Sequence, residues 1–434
     1  MREALGFWLK LGFISFGGPS GQIAIMHAEL VERRRWISEQ RFLHALNYCM
    51  LLPGPEAQQL ATYLGWLMHK TRGGIAAGVL FVLPSLLILI ALSWIYLAYG
   101  HTVLVTGLFA GIKPAVVAIV VHAIVRLGSR TLTQATLWMV AAMAFVGMFA
   151  LGLPFPLIIL AAAAIGFVGS QLRPLAWSAS TGHGPASKAS PAVADTEPRA
   201  TRPAHTIFSW MRLTQVLCAG AVLWLVPFAA LTAYLGWAHS LTQMAWFFTK
   251  AALLTFGGAY AVLPYVYQGA VVEYSWLSAG QMMDGLALGE TTPGPLIMVV
   301  AFVGFVGSYV QALFGPELRL LAGVVAACLV TWFTFLPSFI FILAGGPLVE
   351  STQAELRLTA PLKAITAAVV GVMAQLAWFF GQHTLLPQGL TGPVNFFAGA
   401  IAVLAAIALM RYKRGVIEVI LACAALGLLG QLWS

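Results

Sequence analysis

Two short sequences, Phe16-Gly17-Gly18 and Pro53-Gly54-Pro55, each occur again 240 residues later, as Phe256-Gly257-Gly258 and Pro293-Gly294-Pro295. Lys10 recurs as Lys250 and Trp36 as Trp276 at the same separation of 240, and each Trp is followed two residues on by a serine, Ser38 or Ser278. One separation shared by four features marks an internal duplication. Farther along, Leu83-Pro84-Ser85 matches Leu336-Pro337-Ser338 at 253 residues and Lys113 matches Lys363 at 250, so the copies differ in loop length. Whatever this chain folds into is one unit of about 170 to 190 residues written twice.

Hydropathy says what kind of unit. Of the 434 residues 60% are hydrophobic and 9% charged, where soluble domains carry about 25% charged residues. That leaves too little polar surface to cover a water-exposed globule. Cys49, Cys218, Cys328 and Cys423 stand far apart in apolar stretches without a C-x-x-C pair, which excludes a disulfide scaffold. The net charge of +9 comes with no basic patch interleaved with aromatics outside the apolar segments, so nucleic acid is not an expected partner. Segments near the roughly 20 apolar residues needed to cross a bilayer fall at 4–28, 42–68, 75–99, 102–125, 133–150 and 154–172. Seven more follow, at 212–237, 241–268, 282–311, 320–345, 360–381, 393–410 and 415–432. The stretch between them, rich in Ser, Ala, Pro, Gly and Thr, reads as a solvated linker. The N-terminus shows Arg2 and Glu3, an apolar run broken by Lys10 and Phe16-Gly17-Gly18, and no small-residue cleavage pattern, so no removable leader is expected.

The expected fold is an all-α polytopic membrane protein of two inverted repeats, each of about six hydrophobic segments with re-entrant or broken helices. Its divisions are a repeat over 1–172, a flexible cytoplasmic linker over 173–211, a connecting transmembrane helix over 212–238 and a second repeat over 239–434. An odd crossing between two even units turns the second upside down, as in many secondary transporters, whose sites lie near the midplane. Half of a broken segment, about 12 residues or roughly 18 Å, reaches a little past the middle of a core of about 30 Å. If the first two segments of each repeat are re-entrant, Arg33, Arg34, Arg35, Arg41, Lys70, Arg72, Arg126, Arg130, Arg357, Arg411, Lys413 and Arg414 fall on the cytoplasmic side, as the positive-inside tendency requires. A fully spanning first segment would move Arg33, Arg34, Arg35 and Arg41 outside; the inversion holds either way.

Four cations remain at membrane depth, Lys10, Lys113, Lys250 and Lys363, in two repeat-related pairs. Each costs roughly 2.5–3.5 kcal/mol there, tolerable facing water, a counter-charge or an anion; Lys10, Lys113 and Lys363 could also snorkel to the interface. Gly17-Gly18 and Gly257-Gly258 break helices and expose backbone N–H groups that must meet a cavity or a ligand. A helix starting there aims its positive end at that ligand, and Pro19 suits its first turn. Pro53-Gly54-Pro55 and Pro293-Gly294-Pro295 read the same way, with Thr291 and Thr292 as candidate caps. Four half-helix starts and four lysines suit a small dianion; the plainer reading of Gly and Pro is close helix packing. Glu56, Asp284 and Glu290 are the acids at depth, and Glu56 or Glu290 could carry a coupling proton or make a structural ion pair. Gln58 and Gln59 could donate to an oxyanion. His27, His44 and His69 lack metal-ligand spacing, so no metal and no cofactor is expected.

These motifs resemble the chromate ion transporter family in its long form with two homologous halves. The stretches that carry the likeness are Ser15-Phe16-Gly17-Gly18-Pro19, Leu52 to Tyr63, Thr255-Phe256-Gly257-Gly258-Ala259-Tyr260 and Gly289-Glu290-Thr291-Thr292-Pro293-Gly294-Pro295. The resemblance implies proton-motive export of chromate from the bacterial cytoplasm across the inner membrane, giving chromate resistance, with sulfate as the related substrate. Phe16, Phe256 and the Gly and Pro residues of the four motifs, with Gln58 and the four lysines, are the expected substrate contacts. Partners are chromate or sulfate and membrane lipid, with a homodimer open. The alternatives are sulfate uptake or exchange, a passive anion channel, and a membrane enzyme acting on a lipid phosphate. Against the enzyme, no nucleophile has a nearby His and Asp.

Overall fold

The structure is a computed structural model that describes residues 1–16, 18–172, 205–256, 258–351, 359–387 and 392–433. Gly17, Gly257, Arg357 and the linker residues 173–204 lie outside the described residues. What is described is helix, with short 3-10 and π turns, and no strand among it. Six of the described helices are long and apolar enough to cross a bilayer. The chain is an all-α polytopic membrane protein.

The first half runs α1 (Arg2–Ile14), α2 (Gly18–His27, continued by a π turn, Ala28–Arg33), α3 (Glu39–Leu51), α4 (Glu56–Tyr99), α5 (Val103–Thr131), α6 (Ala135–Phe149) and α7 (Phe155–Leu172). Then come α8 (Trp210–Leu235), α9 (Ser240–Leu254), a 3-10 turn (Ala259–Val262) leading into α10 (Leu263–Tyr267) and a second π turn (Gln268–Glu273). The chain continues through α11 (Ala279–Thr291), a 3-10 turn (Leu296–Met298), α12 (Val299–Val310), α13 (Arg319–Ser351), α14 (Thr359–Leu385), α15 (Phe396–Met410) and α16 (Val416–Trp433).

The duplication is visible in the backbone. Both π turns start and end 240 residues apart. The repeated serines are helix caps: Ser38 Oγ accepts from Arg41 N–H at 3.4 Å, and Ser278 Oγ from Gln281 N–H at 3.2 Å. Gln281 returns the favour to the Ser278 N–H at 2.9 Å, a complete capping box.

Each first segment is a hairpin. The Arg34 guanidinium, just past the first π turn, lies 2.6 Å from Glu3 at the chain start and 2.8 Å from Glu29. It also covers the Phe7 and Trp36 rings at 5.7 and 4.7 Å. The chain therefore reverses between Ile14, where α1 ends, and α2, which starts at Gly18, and comes back to its starting level. α4 is two arms, not one rod: the backbone reverses at His69-Lys70, where Lys70 has φ 58° and ψ −163°. Its arms lie close enough that a Cβ on Gly74 would stand 2.9 Å from the Thr62 carbonyl. Only small residues allow such an approach.

The halves interlock. Ala115, Ala118 and Ile119 of α5 pack on Ile401, Ala405 and Leu409 of α15 and on Val419 and Ile420 of α16. α8 stands outside this core, with 6% of its most apolar stretch buried. Trp224 of α8 touches Trp246 and Phe333, Gly220 lies close against Ile340, and most of the helix's other side chains are exposed.

Candidate functional site

The four breaks meet in pairs. The Gly54 N–H donates to the Thr255 carbonyl at 2.8 Å, and the Gly294 N–H donates to the Ser15 carbonyl at 2.8 Å. Donors and acceptors are both repeat-related, so each Pro-Gly-Pro is tied to the residue preceding the other half's Phe-Gly-Gly. Gly54 and Gly294 sit at φ 125° and 112°, a region that L side chains avoid. A Cβ on Gly54 would meet Ser338 Oγ at 2.5 Å, and one on Gly294 would meet Ser85 Cβ at 2.6 Å. Those serines belong to the repeated Leu-Pro-Ser. Gln59 Nε2 donates to the Pro53 carbonyl at 2.7 Å and Gln22 Nε2 to the Gly294 carbonyl at 2.6 Å. Both glycine amides and the Pro53 and Gly294 carbonyls are thus satisfied within the protein, as membrane depth demands.

The Phe-Gly-Gly turns are more open. Gly18 and Gly258 have φ 74° and 99°. A Cβ on Gly18 would meet nothing within 4 Å, and one on Gly258 would meet only Glu56 Oε1, at 4.0 Å. Phe16 is exposed and Phe256 half-buried. Two residues beyond Gly258, the Tyr260 hydroxyl donates to Glu290 Oε1 at 2.7 Å. Glu56 of the first half and Glu290 of the second therefore reach the same short turn. Pro19 lies in the first turn of α2. Next to it, the Ser20 hydroxyl accepts a hydrogen bond from Arg126 Nη2 of α5.

A profile described as "Chromate transporter" matches residues 2–167 and again 242–428. The chain belongs to the chromate transporter family. It is similar to the "Chromate transport protein" of Pseudomonas aeruginosa, 34% identical over 97% of this chain and 90% of that one. The protein of the same name from Cupriavidus metallidurans is 27% identical over 98% of this chain and 92% of its own length. A "Probable chromate transport protein" of Synechococcus elongatus is 28% identical over 90% of this chain and 88% of its own. No solved structure matches the chain.

In this member of the chromate transporter family the motifs sort differently from the expectation. The Pro-Gly-Pro glycine amides are occupied by the opposite half and are not free donors. Gln58 is fully buried and its Nε2 bonds Thr62 Oγ1 at 3.0 Å, one turn along its own helix. Thr291 and Thr292 do not cap the helix that follows. Their hydroxyls donate back to Leu288 O at 3.1 and 2.6 Å, closing α11, and the next turn begins at Pro295 without a side-chain cap. A Thr near a helix end can reach back or forward, and sequence alone does not say which. Gly17 and Gly257 lie outside the described residues.

The four lysines have different settings. Lys250 Nζ sits 5.8 Å from the Trp246 ring, and Trp246 packs with Trp224, Phe228 and Trp237 of the peripheral α8 region. Lys10 is exposed on α1 and Lys363 half-buried on α14. Lys113 is paired with Asp284 at 3.5 Å, and Asp284 also accepts from the Tyr96 hydroxyl at 2.9 Å. Asp284 Oδ1 has no hydrogen-bond partner among the described residues. Lys113→Gln strands this buried carboxylate and is expected to lower stability by about 1–3 kcal/mol. Adding Asp284→Asn should restore most of it; thermal unfolding of the two variants in detergent that shows no rescue would refute the pairing. His27 bridges Glu32 and Glu39 at 3.2 and 2.6 Å, an interfacial cluster. No group of three or more His, Cys, Asp or Glu positioned for a metal occurs among the described residues.

Two residues at the site escaped the sequence reading. Arg126 was assigned to the cytoplasmic surface from its place near a segment end, and Tyr260 replaces a serine of the first copy. The signal for Tyr260 was available: an aromatic hydroxyl two residues after a helix break at depth needs a partner.

Proposed function

We propose that this chain is a secondary active transporter that exports chromate from the bacterial cytoplasm across the inner membrane and so confers chromate resistance. The observation that carries the reading is that both halves of the chain match the chromate transporter family. The crossed hydrogen bonds of the breaks fit it mechanically. They form a joint about which one half can rock against the other, and the Phe-Gly-Gly turns beside the joint are the open face offered to the anion. The Pro-Gly-Pro residues then act as the pivot, and Phe16, Gly17, Gly18, Phe256, Gly257 and Gly258 line the anion's place.

Inversion of the halves is part of this reading. Arg34, at the end of the first hairpin, sits by Glu3 at the chain start. Gln268, in the π turn that closes the second, accepts from the Phe155 N–H at the α6–α7 loop at 3.1 Å. Three traverses, the second arm of α4, α5 and α6, separate those two ends, which supports hairpins at opposite faces. Alternating access about a midplane site follows naturally from such a pair.

The deciding measurement is flux of chromate and sulfate into proteoliposomes with and without an imposed pH gradient. Chromate movement accelerated by the gradient is the expected result. Movement indifferent to protons would make the protein a passive channel, a preference for sulfate would make it a sulfate carrier, and no oxyanion flux would refute the proposal.

A further inference from the structure

Arg126 lies on α5 five residues before the helix ends at Thr131. A guanidinium there has two courses. It can snorkel toward the near interface, roughly 7–8 Å along the axis, or turn inward. It turns toward the first break, donating to Ser20 Oγ in the first turn of α2. Ser20 follows Gly18 by two residues, the position that Tyr260 holds after Gly258 in the second half. No carboxylate pairs with Arg126 among the described residues, and the residue is exposed rather than sealed. Ser20 engages one of the five donors that a guanidinium offers. The remaining donors form a planar fork suited to two oxygens of one anion.

The arrangement has no twin. At the 250-residue separation of Lys113 and Lys363, the position equivalent to Arg126 is Leu376, which is buried in apolar core. The two halves therefore differ in charge just where their breaks open. Ser20 and Tyr260 differ as well, a small hydroxyl facing a large one that is already committed to Glu290.

We propose that Arg126 contacts the transported oxyanion directly, gripping two of its oxygens beside the Phe-Gly-Gly turns, and that anion recognition rests on the first half and not on the paired lysines. This inference rests on the oxyanion-carrier reading above, and the experiment separates the two. Chromate flux is measured in proteoliposomes for the full-length protein and for Arg126→Gln, Arg126→Lys and Arg130→Gln. Arg130 lies one turn farther along α5 and serves as the control for bulk surface charge. Loss of charge-assisted bonds to the anion should raise KM for chromate about 10- to 100-fold in Arg126→Gln, with a smaller change in maximal rate. Arg126→Lys should recover part of the affinity, and Arg130→Gln should keep the wild-type KM.

A wild-type KM in Arg126→Gln, or an equal rise in Arg130→Gln, would overturn the inference while leaving the transporter reading intact. A wild-type protein without oxyanion flux would instead remove the reading on which both stand. Phenylglyoxal labelling of the wild-type protein guards against a variant that fails to fold. Saturating chromate should slow modification of Arg126 and leave Arg130 unaffected, and absence of that protection also counts against the contact.

Discussion

Gly294→Val is expected to leave no transport-competent protein. The native φ of 112° is unavailable to a β-branched residue without strain of about 1–3 kcal/mol. The new Cβ would also stand 2.6 Å from Ser85 Cβ, inside a packed joint, adding roughly 1–3 kcal/mol of overpacking. Relief requires the Pro-Gly-Pro turn to shift away from Ser85, which disturbs the 2.8 Å bond from the Gly294 N–H to Ser15 that ties the halves together. These terms are large against a net stability of about 5–15 kcal/mol. Gly54→Val should behave alike, because Ser338 Oγ and Gln59 Nε2 lie 2.5 and 2.7 Å from its Cβ position. Gly18→Val is the contrast. Nothing lies within 4 Å of its Cβ, so it bears only the backbone strain and should remain folded while transport falls. Size-exclusion profiles and melting temperatures in detergent, read beside chromate efflux, distinguish the cases; a Gly294→Val protein as stable as wild type would disprove the joint.

Either Glu56→Gln or Glu290→Gln is expected to uncouple the transporter. Both carboxyls reach the Gly258–Tyr260 turn, Glu56 within 4.0 Å of the Gly258 Cβ position and Glu290 through the 2.7 Å bond from Tyr260. An amide keeps the size and most hydrogen bonding of the acid but carries no exchangeable charge. The variant that removes the coupling proton site should lose its response to an imposed pH gradient and still exchange chromate between compartments at equal pH. If neither substitution alters the gradient response, the proton is carried elsewhere, and Asp284 with its unpartnered Oδ1 becomes the next residue to test.

Much of this was legible in the chain itself. The shared 240-residue separation announced two copies, and it holds down to the placement of the π turns and the serine caps, because those are local consequences of local sequence. The break at Gly18 was readable for the same reason, since a Gly-Gly-Pro run cannot stay in a continuous helix. The fate of the lysines was not. A cation at depth says only that something must compensate it, and Lys113 found Asp284, 171 positions away in the sequence, while Lys250 found the face of Trp246.

What the sequence determined alone is the class: a duplicated, all-helical membrane protein whose segments are interrupted by paired glycine and proline breaks. Those features follow from hydropathy and backbone stereochemistry, which act within a few residues. Which donor met which acceptor was decided by tertiary structure. The Pro-Gly-Pro amides became a joint because the opposite half brought carbonyls to them, and Arg126 met Ser20, 106 positions earlier in the chain, because α5 packs beside the start of α2. Partners so distant along the chain are chosen by packing of the two halves, and no local signal encodes that choice.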